Sequence, residues 1–269
     1  MHCDVQDIAA ALTVVREKIF SLEQGRYLIP YLDLTSLNET DDAAAIDVLC
    51  HKAITPYGKV AAVCVYPQFV RQAVINLKDS GIKIATVANF SAGEQALERV
   101  LAEIDLALQD GAEEIDVVFP YSLFLRGEKK AAVFFISQCK ARCSDLPLKV
   151  ILETGAIQDL NKINEAAIAV ILAGADFVKT STGKLIQGAS LEAAAAILLA
   201  IKSVAQKIRR TLGFKAAGGI REPQQALQYL ALAQEILGPD WPTPNNFRIG
   251  VSGLLDKLLL ASAAPGGKA

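Results

Sequence analysis

Eight short, near-continuously apolar runs recur along this chain of 269 residues, and each is followed by a longer amphipathic stretch. No other feature constrains the fold as strongly. The runs span residues 28–34, 60–66, 83–88, 114–119, 148–153, 176–180, 213–217 and 247–251. Stretches with helical periodicity follow at 41–53, 68–78, 93–109, 130–142, 161–172, 191–208, 224–237 and 254–260. Strands buried on both faces read as continuous apolar runs rather than alternating ones, and intervening helices impose parallel pairing. Eight strand–helix units are the number that closes a (β/α)8 barrel, the TIM-barrel architecture of the α/β class, and about 250 residues suffice for one. A doubly wound open sheet is the alternative that the same pattern allows. No Pro/Ser-rich linker divides the chain, so a single barrel domain is expected. Residues 1–26 read as an extra N-terminal helix, and residues 261–269, with Pro265-Gly266-Gly267, as a mobile tail.

Composition narrows the function classes. Hydrophobic residues make up 52% and charged residues 21%, enough apolar material for a large core. The formal net charge is -2 with acids and bases interspersed, which gives no electrostatic footprint for nucleic acid. Apolar stretches such as 193–201 fall far short of the roughly 18 residues that span a bilayer. Asp4 and Asp7 precede Ala9-Ala10-Ala11-Leu12, which lacks the basic start of a secretory signal. The expectation is a soluble, cytoplasmic protein with no nucleic-acid or membrane partner. The five cysteines (Cys3, Cys50, Cys64, Cys139, Cys143) match no paired metal spacing. Cys139 and Cys143 share a helix face and read as buried thiols. Only His2 and His51 could supply imidazole, whereas a catalytic zinc usually takes more than one, so no metal is expected.

A barrel of this kind places its chemistry at the C-terminal ends of its strands. Polar residues interrupt the apolar runs there: Asp33, Cys64, Asn89, Asp116, Glu153, Lys179 and Lys215. Buried ionisable groups are costly unless paired, so their convergence points to a site, with a structural polar cluster as the plainer alternative. Period-two alternation sets Lys179 and Lys215 on the same face of neighbouring strands, which lie roughly 4.8 Å apart. An unperturbed lysine, with pKa near 10.4, is neutral in only about one part in a few thousand at pH 7. Burial beside a second ammonium lowers that pKa and frees a nucleophilic amine. The pair therefore suggests carbonyl chemistry through a Schiff base. Asp116 is placed to move protons in such a route or to act as counter-ion. Asp33 suits either a substrate hydroxyl or a further counter-charge. Glu153 reads equally as a hydrogen-bonding interior residue or a catalytic one.

A second set of residues suggests an anion. Gly218-Gly219-Ile220-Arg221 precedes a helix with Pro223 in its first turn. Gly250-Val251-Ser252-Gly253 opens the last helix. Bare backbone N–H groups at helix starts bind anions, and barrel phosphate sites often follow strands seven and eight. Thr182-Gly183-Lys184 adds donors and a positive charge, although Val178 occupies the position of the first glycine of a P-loop. The glycines also fit plain tight turns. Asp41 and Asp42 read as first-turn helix acids, and Trp241, among Pro239, Pro242 and Pro244, as a packed loop residue.

Val178-Lys179-Thr180-Ser181-Thr182-Gly183-Lys184 and Phe214-Lys215-Ala216-Ala217-Gly218-Gly219 resemble the signature segments of the deoxyribose-phosphate aldolases, a class I aldolase family. Leu32-Asp33-Leu34-Thr35, Cys64-Val65-Tyr66-Pro67, Thr86-Val87-Ala88-Asn89-Phe90, Glu114-Ile115-Asp116-Val117-Val118-Phe119-Pro120 and Leu152-Glu153-Thr154-Gly155 extend the resemblance, in order, over nearly the whole chain. The resemblance implies a (β/α)8 barrel with no metal or organic cofactor. It implies reversible cleavage of 2-deoxy-D-ribose 5-phosphate to D-glyceraldehyde 3-phosphate and acetaldehyde, a step of deoxyribonucleoside catabolism. By motif, Lys179 is then the Schiff-base lysine, Lys215 its pKa-lowering neighbour and Asp116 the proton-transfer acid. Asp33 and Cys64 line the sugar pocket, while Gly183, Lys184, Gly218, Gly219, Arg221, Gly250, Ser252 and Gly253 surround the phosphate. The partners implied are a small phosphosugar and aldehydes. A homo-oligomer is compatible with the sequence, which leaves the oligomeric state open.

Two departures from the family pattern stand out. Many relatives carry two consecutive serines where this chain has Ser252-Gly253, which removes one hydroxyl contact to phosphate. Some end in a tyrosine that reaches the site, whereas this sequence ends Gly267-Lys268-Ala269. Two other functions remain open at this stage: a phosphosugar isomerase or epimerase using Asp116 as base, and a catalytically silent sugar-phosphate sensor.

Overall fold

The alternation resolves into eight parallel strands: β1 (Leu32–Thr35), β2 (Ala62–Val65), β3 (Lys83–Ala88), β4 (Glu114–Val118), β5 (Leu148–Ile151), β6 (Phe177–Lys179), β7 (Gly213–Ala217) and β8 (Phe247–Val251). Each pairs with the next, and β8 pairs back onto β1, so the sheet closes into a barrel. The computed structural model describes residues 5–18, 20, 22–208 and 210–263. The doubly wound alternative is thereby excluded.

Eight helices cover the barrel: α2 (Ala43–Lys52), α3 (Val70–Asn76), α4 (Leu97–Gln109), α5 (Lys129–Cys143), α6 (Leu160–Leu172), α7 (Leu191–Ala205), α8 (Pro223–Leu237) and α9 (Leu254–Ala263). The extra N-terminal helix α1 (Val5–Arg16) lies against α7 and α8. Among the described residues, no helix is long and apolar enough to cross a membrane.

Successive strand residues face opposite ways, and the two sets do different work. Outward residues such as Leu34, Val63, Ile115, Val150, Val178, Phe214 and Ile249 pack with the helices into one large core. Each such side chain, fully buried, contributes about 1.5–3 kcal/mol. The inward set carries the ionisable groups. One glycine shows how tightly that interior is filled: a Cβ on Gly213 would lie 2.4 Å from the ring of its register partner Phe177.

Several boundaries differ from the sequence reading. Residues 22–31 form a 3-10 helix containing Pro30, so β1 starts at Leu32 and α1 stops at Arg16 rather than reaching residue 26. Proline cannot donate to a strand ladder, which explains the late start. Asn89 Oδ1 accepts from Gln95 N, and Gly93 takes a φ of +72°, which makes a loop of residues 89–96 and delays α4 to Leu97. Two short helices, Tyr121–Leu125 and Thr154–Ile157, lie after β4 and β5. Asp42 caps α2 by accepting from Ala45 N, while Asp41 accepts from Ser36 Oγ and Asn38 N. Neither sits in the first turn, because an Asp side chain best satisfies the free N–H groups from just outside it. The last helix continues to Ala263, and the rest of the expected tail, like Cys3 and His2, lies outside the described residues.

Candidate active site

Asp116, on β4, is the hub of a buried ionic cluster. Its Oδ2 accepts from Lys179 Nζ on β6 and from Lys215 Nζ on β7, each at 2.8 Å. Its Oδ1 accepts from Lys149 Nζ on β5, also at 2.8 Å. Cross-strand registry brings the lysines to one height: Lys179 pairs with Lys215, and Asp116 with Lys149. Around this core, Lys215 Nζ lies 2.5 Å from Asp33 Oδ2, and Lys149 Nζ lies 2.6 Å from Glu114 Oε2. Arg248 on β8 closes the ring, with contacts of 2.7 Å to Asp33 Oδ1 and 2.9 Å to Glu114 Oε1. Gly250 makes room for this: a Cβ there would lie 3.1 Å from Lys215 Cε.

The cluster holds four basic groups (Lys149, Lys179, Lys215, Arg248) and three acidic ones (Asp33, Glu114, Asp116). Fully charged, it buries one uncompensated positive charge, which is costly in a shielded interior. Lys179 is the member least held by acidic partners. Within the cluster Lys215 reaches two carboxylates and Lys149 three, whereas Lys179 reaches Asp116 alone. Burial lowers the Lys179 pKa, and the charge of Lys215 lowers it further against the opposing pull of Asp116. Burial is the larger of the two lowering causes. Burial also acts on Lys215 and Lys149, but Asp116 with Asp33, and Asp116 with Glu114, outweigh it and raise their pKa values. Burial opposes ionisation of Asp116 too, yet Lys149, Lys179 and Lys215 together hold its carboxyl well below the usual range.

Lys179 also lines a cleft of about 190 Å³ together with Thr35, Thr182, Gly183, Lys184, Gly218, Gly219, Arg221, Gly250 and Ser252. Gly218 and Gly219 adopt φ values of +101° and +79°, a backbone that side chains rarely tolerate. A Cβ on Gly188 would lie 2.4 Å from Gly218 O, so two loops meet backbone to backbone. The Lys184 ammonium donates to Leu37 O and ties the loop after β6 to the loop after β1.

The structure thus brings most of the expected residues together, with three placed differently. Asp33 and Cys64 are fully buried and do not line the cleft, so Asp33 fits the counter-charge reading. Cys64 packs with Leu37, Ala62, Ala85 and Val87 against Tyr66 and Phe90, a small apolar patch inside the barrel. Gly253 is exposed and is not part of the cleft lining, whereas Ser252 is. Asn89, whose Nδ2 donates to Val118 O, holds a loop rather than joining the cluster. Cys139 and Cys143 are buried thiols, and burial pushes both up to about 12. Sequence reasoning missed Lys149, Glu114 and Arg248. The signal was present: each is a charge inside an apolar strand, in phase with the inward positions. Among the described residues, no group of His, Cys, Asp and Glu is arranged to hold a metal ion.

Comparison with known proteins agrees with this geometry. Residues 27–257 match the family described as DeoC/LacD family aldolase. A protein of Toxoplasma gondii ME49, provisionally named a deoxyribose-phosphate aldolase, is 25% identical and superposes with a TM-score of 0.81 over 89% of this chain and 94% of its own. The deoxyribose phosphate aldolase of Aeropyrum pernix, which is tetrameric, is 25% identical with a TM-score of 0.73 over 97% and 99% of the two chains. An aldolase designated QR15 is 26% identical with a TM-score of 0.74 over 87% and 95%.

Proposed function

The chain belongs to the DeoC/LacD family of aldolases, and from that premise we propose a class I aldolase that reversibly cleaves 2-deoxy-D-ribose 5-phosphate into D-glyceraldehyde 3-phosphate and acetaldehyde. One observation carries the reading: Lys179 is the only amine of the buried cluster that both faces the cleft and has a lowered pKa.

The neutral Lys179 amine adds to the C1 aldehyde of the open-chain sugar, forming a carbinolamine. Its hydroxyl takes a proton and leaves as water, giving a protonated imine. Asp116 touches Lys179 and Lys215 through one oxygen, so it can pass a proton between the Lys215 ammonium and the reacting oxygen, directly or through one water. Removal of the C3 hydroxyl proton then breaks the C2–C3 bond. The C3 fragment departs as glyceraldehyde 3-phosphate, and the electron pair passes through C2 to the imine nitrogen as an enamine. Protonation at C2 and hydrolysis release acetaldehyde and restore Lys179. The N–H groups around Gly218, Gly219, Gly250 and Ser252, with Arg221 and Lys184, suit the dianionic phosphate.

An isomerase using Asp116 as its base is less well supported. A carboxylate held well below its usual pKa by the buried lysines beside it is a weak base. The setting that fits is cytoplasmic breakdown of deoxyribonucleosides, which supplies such a phosphosugar.

The test is borohydride reduction in the presence of acetaldehyde, followed by peptide mass mapping. Lys179 should become N-ethyl-lysine, a net gain of C2H4, and deoxyribose 5-phosphate should release aldehyde with or without a chelator. Labelling elsewhere, or chelator-sensitive turnover, would overturn the proposal.

A further inference from the structure

Glu153, two residues past the end of β5, is in a left-handed conformation, φ 58° and ψ 63°, and is 1% exposed. A non-glycine residue there costs on the order of 1–2 kcal/mol, so its surroundings must impose it. Those surroundings are the loop after β6. Glu153 Oε2 accepts from Thr182 N at 3.2 Å and from the Thr182 hydroxyl. That hydroxyl oxygen in turn accepts from Lys184 N at 3.1 Å. The next two residues extend the contact: Thr154 Oγ1 lies 3.2 Å from Ser181 Oγ, and a Cβ on Gly155 would lie 2.1 Å from Gln187 O. Glu153-Thr154-Gly155 is thus a saddle on which the stretch 181–187 rests. Its other carboxylate oxygen, Oε1, is buried without a protein hydrogen-bond partner. A residue serving only to turn the chain needs neither the acid nor the orphaned oxygen.

We infer that Glu153 is a positioning residue that sets the enzyme's preference for phosphorylated substrates, by fixing Thr182-Gly183-Lys184 along the cleft wall beside Lys179. The inference rests on the aldolase reading above, and it separates two properties of the site. The amine that forms the imine stands on β6 itself, paired with Asp116. Of the groups around the phosphate position, Gly183 and Lys184 belong to the loop that Glu153 holds. Loss of the carboxylate therefore loosens phosphate recognition and leaves imine chemistry in place. Burial raises the carboxyl's pKa, and the Thr182 bonds oppose that rise.

The experiment compares wild type with Glu153→Ala, Glu153→Gln and Thr182→Val. Inorganic phosphate is titrated directly, and turnover is measured with deoxyribose 5-phosphate and with unphosphorylated deoxyribose. In Glu153→Ala, the phosphate Kd and the phosphosugar KM should both rise about tenfold, the scale of a buried charge-assisted hydrogen bond. The kcat, the use of unphosphorylated sugar and acetaldehyde trapping on Lys179 should each stay within about threefold. Glu153→Gln keeps an acceptor oxygen and should restore phosphate affinity. Thr182→Val keeps the backbone bond, disturbs folding least and should give a smaller rise in the same direction. An unchanged phosphate Kd, or equal losses with both sugars, would refute the positioning role. Failure of wild type to trap acetaldehyde would instead sink the aldolase reading, and the phosphate titration would still judge Glu153.

Discussion

The interior of this barrel has two unlike arcs. From β4 through β8 to β1, inward positions carry Glu114, Asp116, Lys149, Lys179, Lys215, Arg248 and Asp33, joined by ion pairs of 2.5–3.9 Å. On β2 and β3 the inward positions are Ala62, Cys64, Ala85 and Val87, walled by Tyr66 and Phe90. The charged arc has more basic than acidic groups, and the apolar arc offers Lys179 no second carboxylate. Lys179 sits where the two meet the cleft. The difference explains why one amine among several has a lowered pKa: the charge that the interior does not compensate weighs most on the group with fewest acidic partners.

The most severe way to break the contrast is to remove the amine. Lys179→Arg keeps a cation against Asp116 but cannot form an imine, so kcat should fall by about 10⁴-fold or more, and acetaldehyde trapping should vanish. A variant that still turns over at a tenth of the wild-type rate would refute the covalent route. Asp116→Asn attacks the hub instead. It leaves Lys149 and Lys215 short of a counter-charge, which should cost about 3–5 kcal/mol of stability. Turnover should fall by about 10²–10⁴-fold, read by denaturant unfolding alongside steady-state kinetics.

Lys215→Met tests the cation's share of the pKa shift. A lowered lysine pKa means that the rate of adduct formation climbs with pH through the folded-state value and then levels off. Removing the positive neighbour deletes a lowering influence and leaves Asp116 to raise the Lys179 pKa. The rising limb should therefore move to higher pH. A limb that stays put would assign the whole shift to burial.

These residues also show what the chain reveals on its own. Parallel strands covered on both faces leave an unmistakable pattern, and three strands, at 83–88, 213–217 and 247–251, match residue for residue. Boundaries set by local competition were harder. Pro30 delays the start of the first strand, and Asn89 bonds its own loop, neither of which periodicity registers. Within the site, Lys179 and Lys215 stood out because glycine and hydroxyl residues follow them. Lys149 and Arg248 sit second in their strands, away from the loops that follow, and only the closed barrel makes their inward phase mean contact with Asp116 and Glu114. Cys64 shows the converse. Its phase is inward, but its arc is apolar, and which arc a strand joins is a property of closure rather than of the strand.

Cys64 therefore supplies the mildest test. Burial, with Asp116 adding to it, raises its thiol pKa, so at neutral pH it is an uncharged group among aliphatic side chains. Cys64→Ala removes one small buried atom and should cost about 1 kcal/mol of stability while leaving kcat within about threefold. Thiol-directed alkylation of the folded enzyme should be slow at this position for the same reason, since the thiolate is the reactive form. The comparison with Lys215→Met is decisive. If the alanine variant also moved the pH limb of adduct formation, Cys64 would belong electrostatically with the lysines. If only the methionine variant moves it, the two arcs are separate, and the acidity of Lys179 is set from the charged side alone.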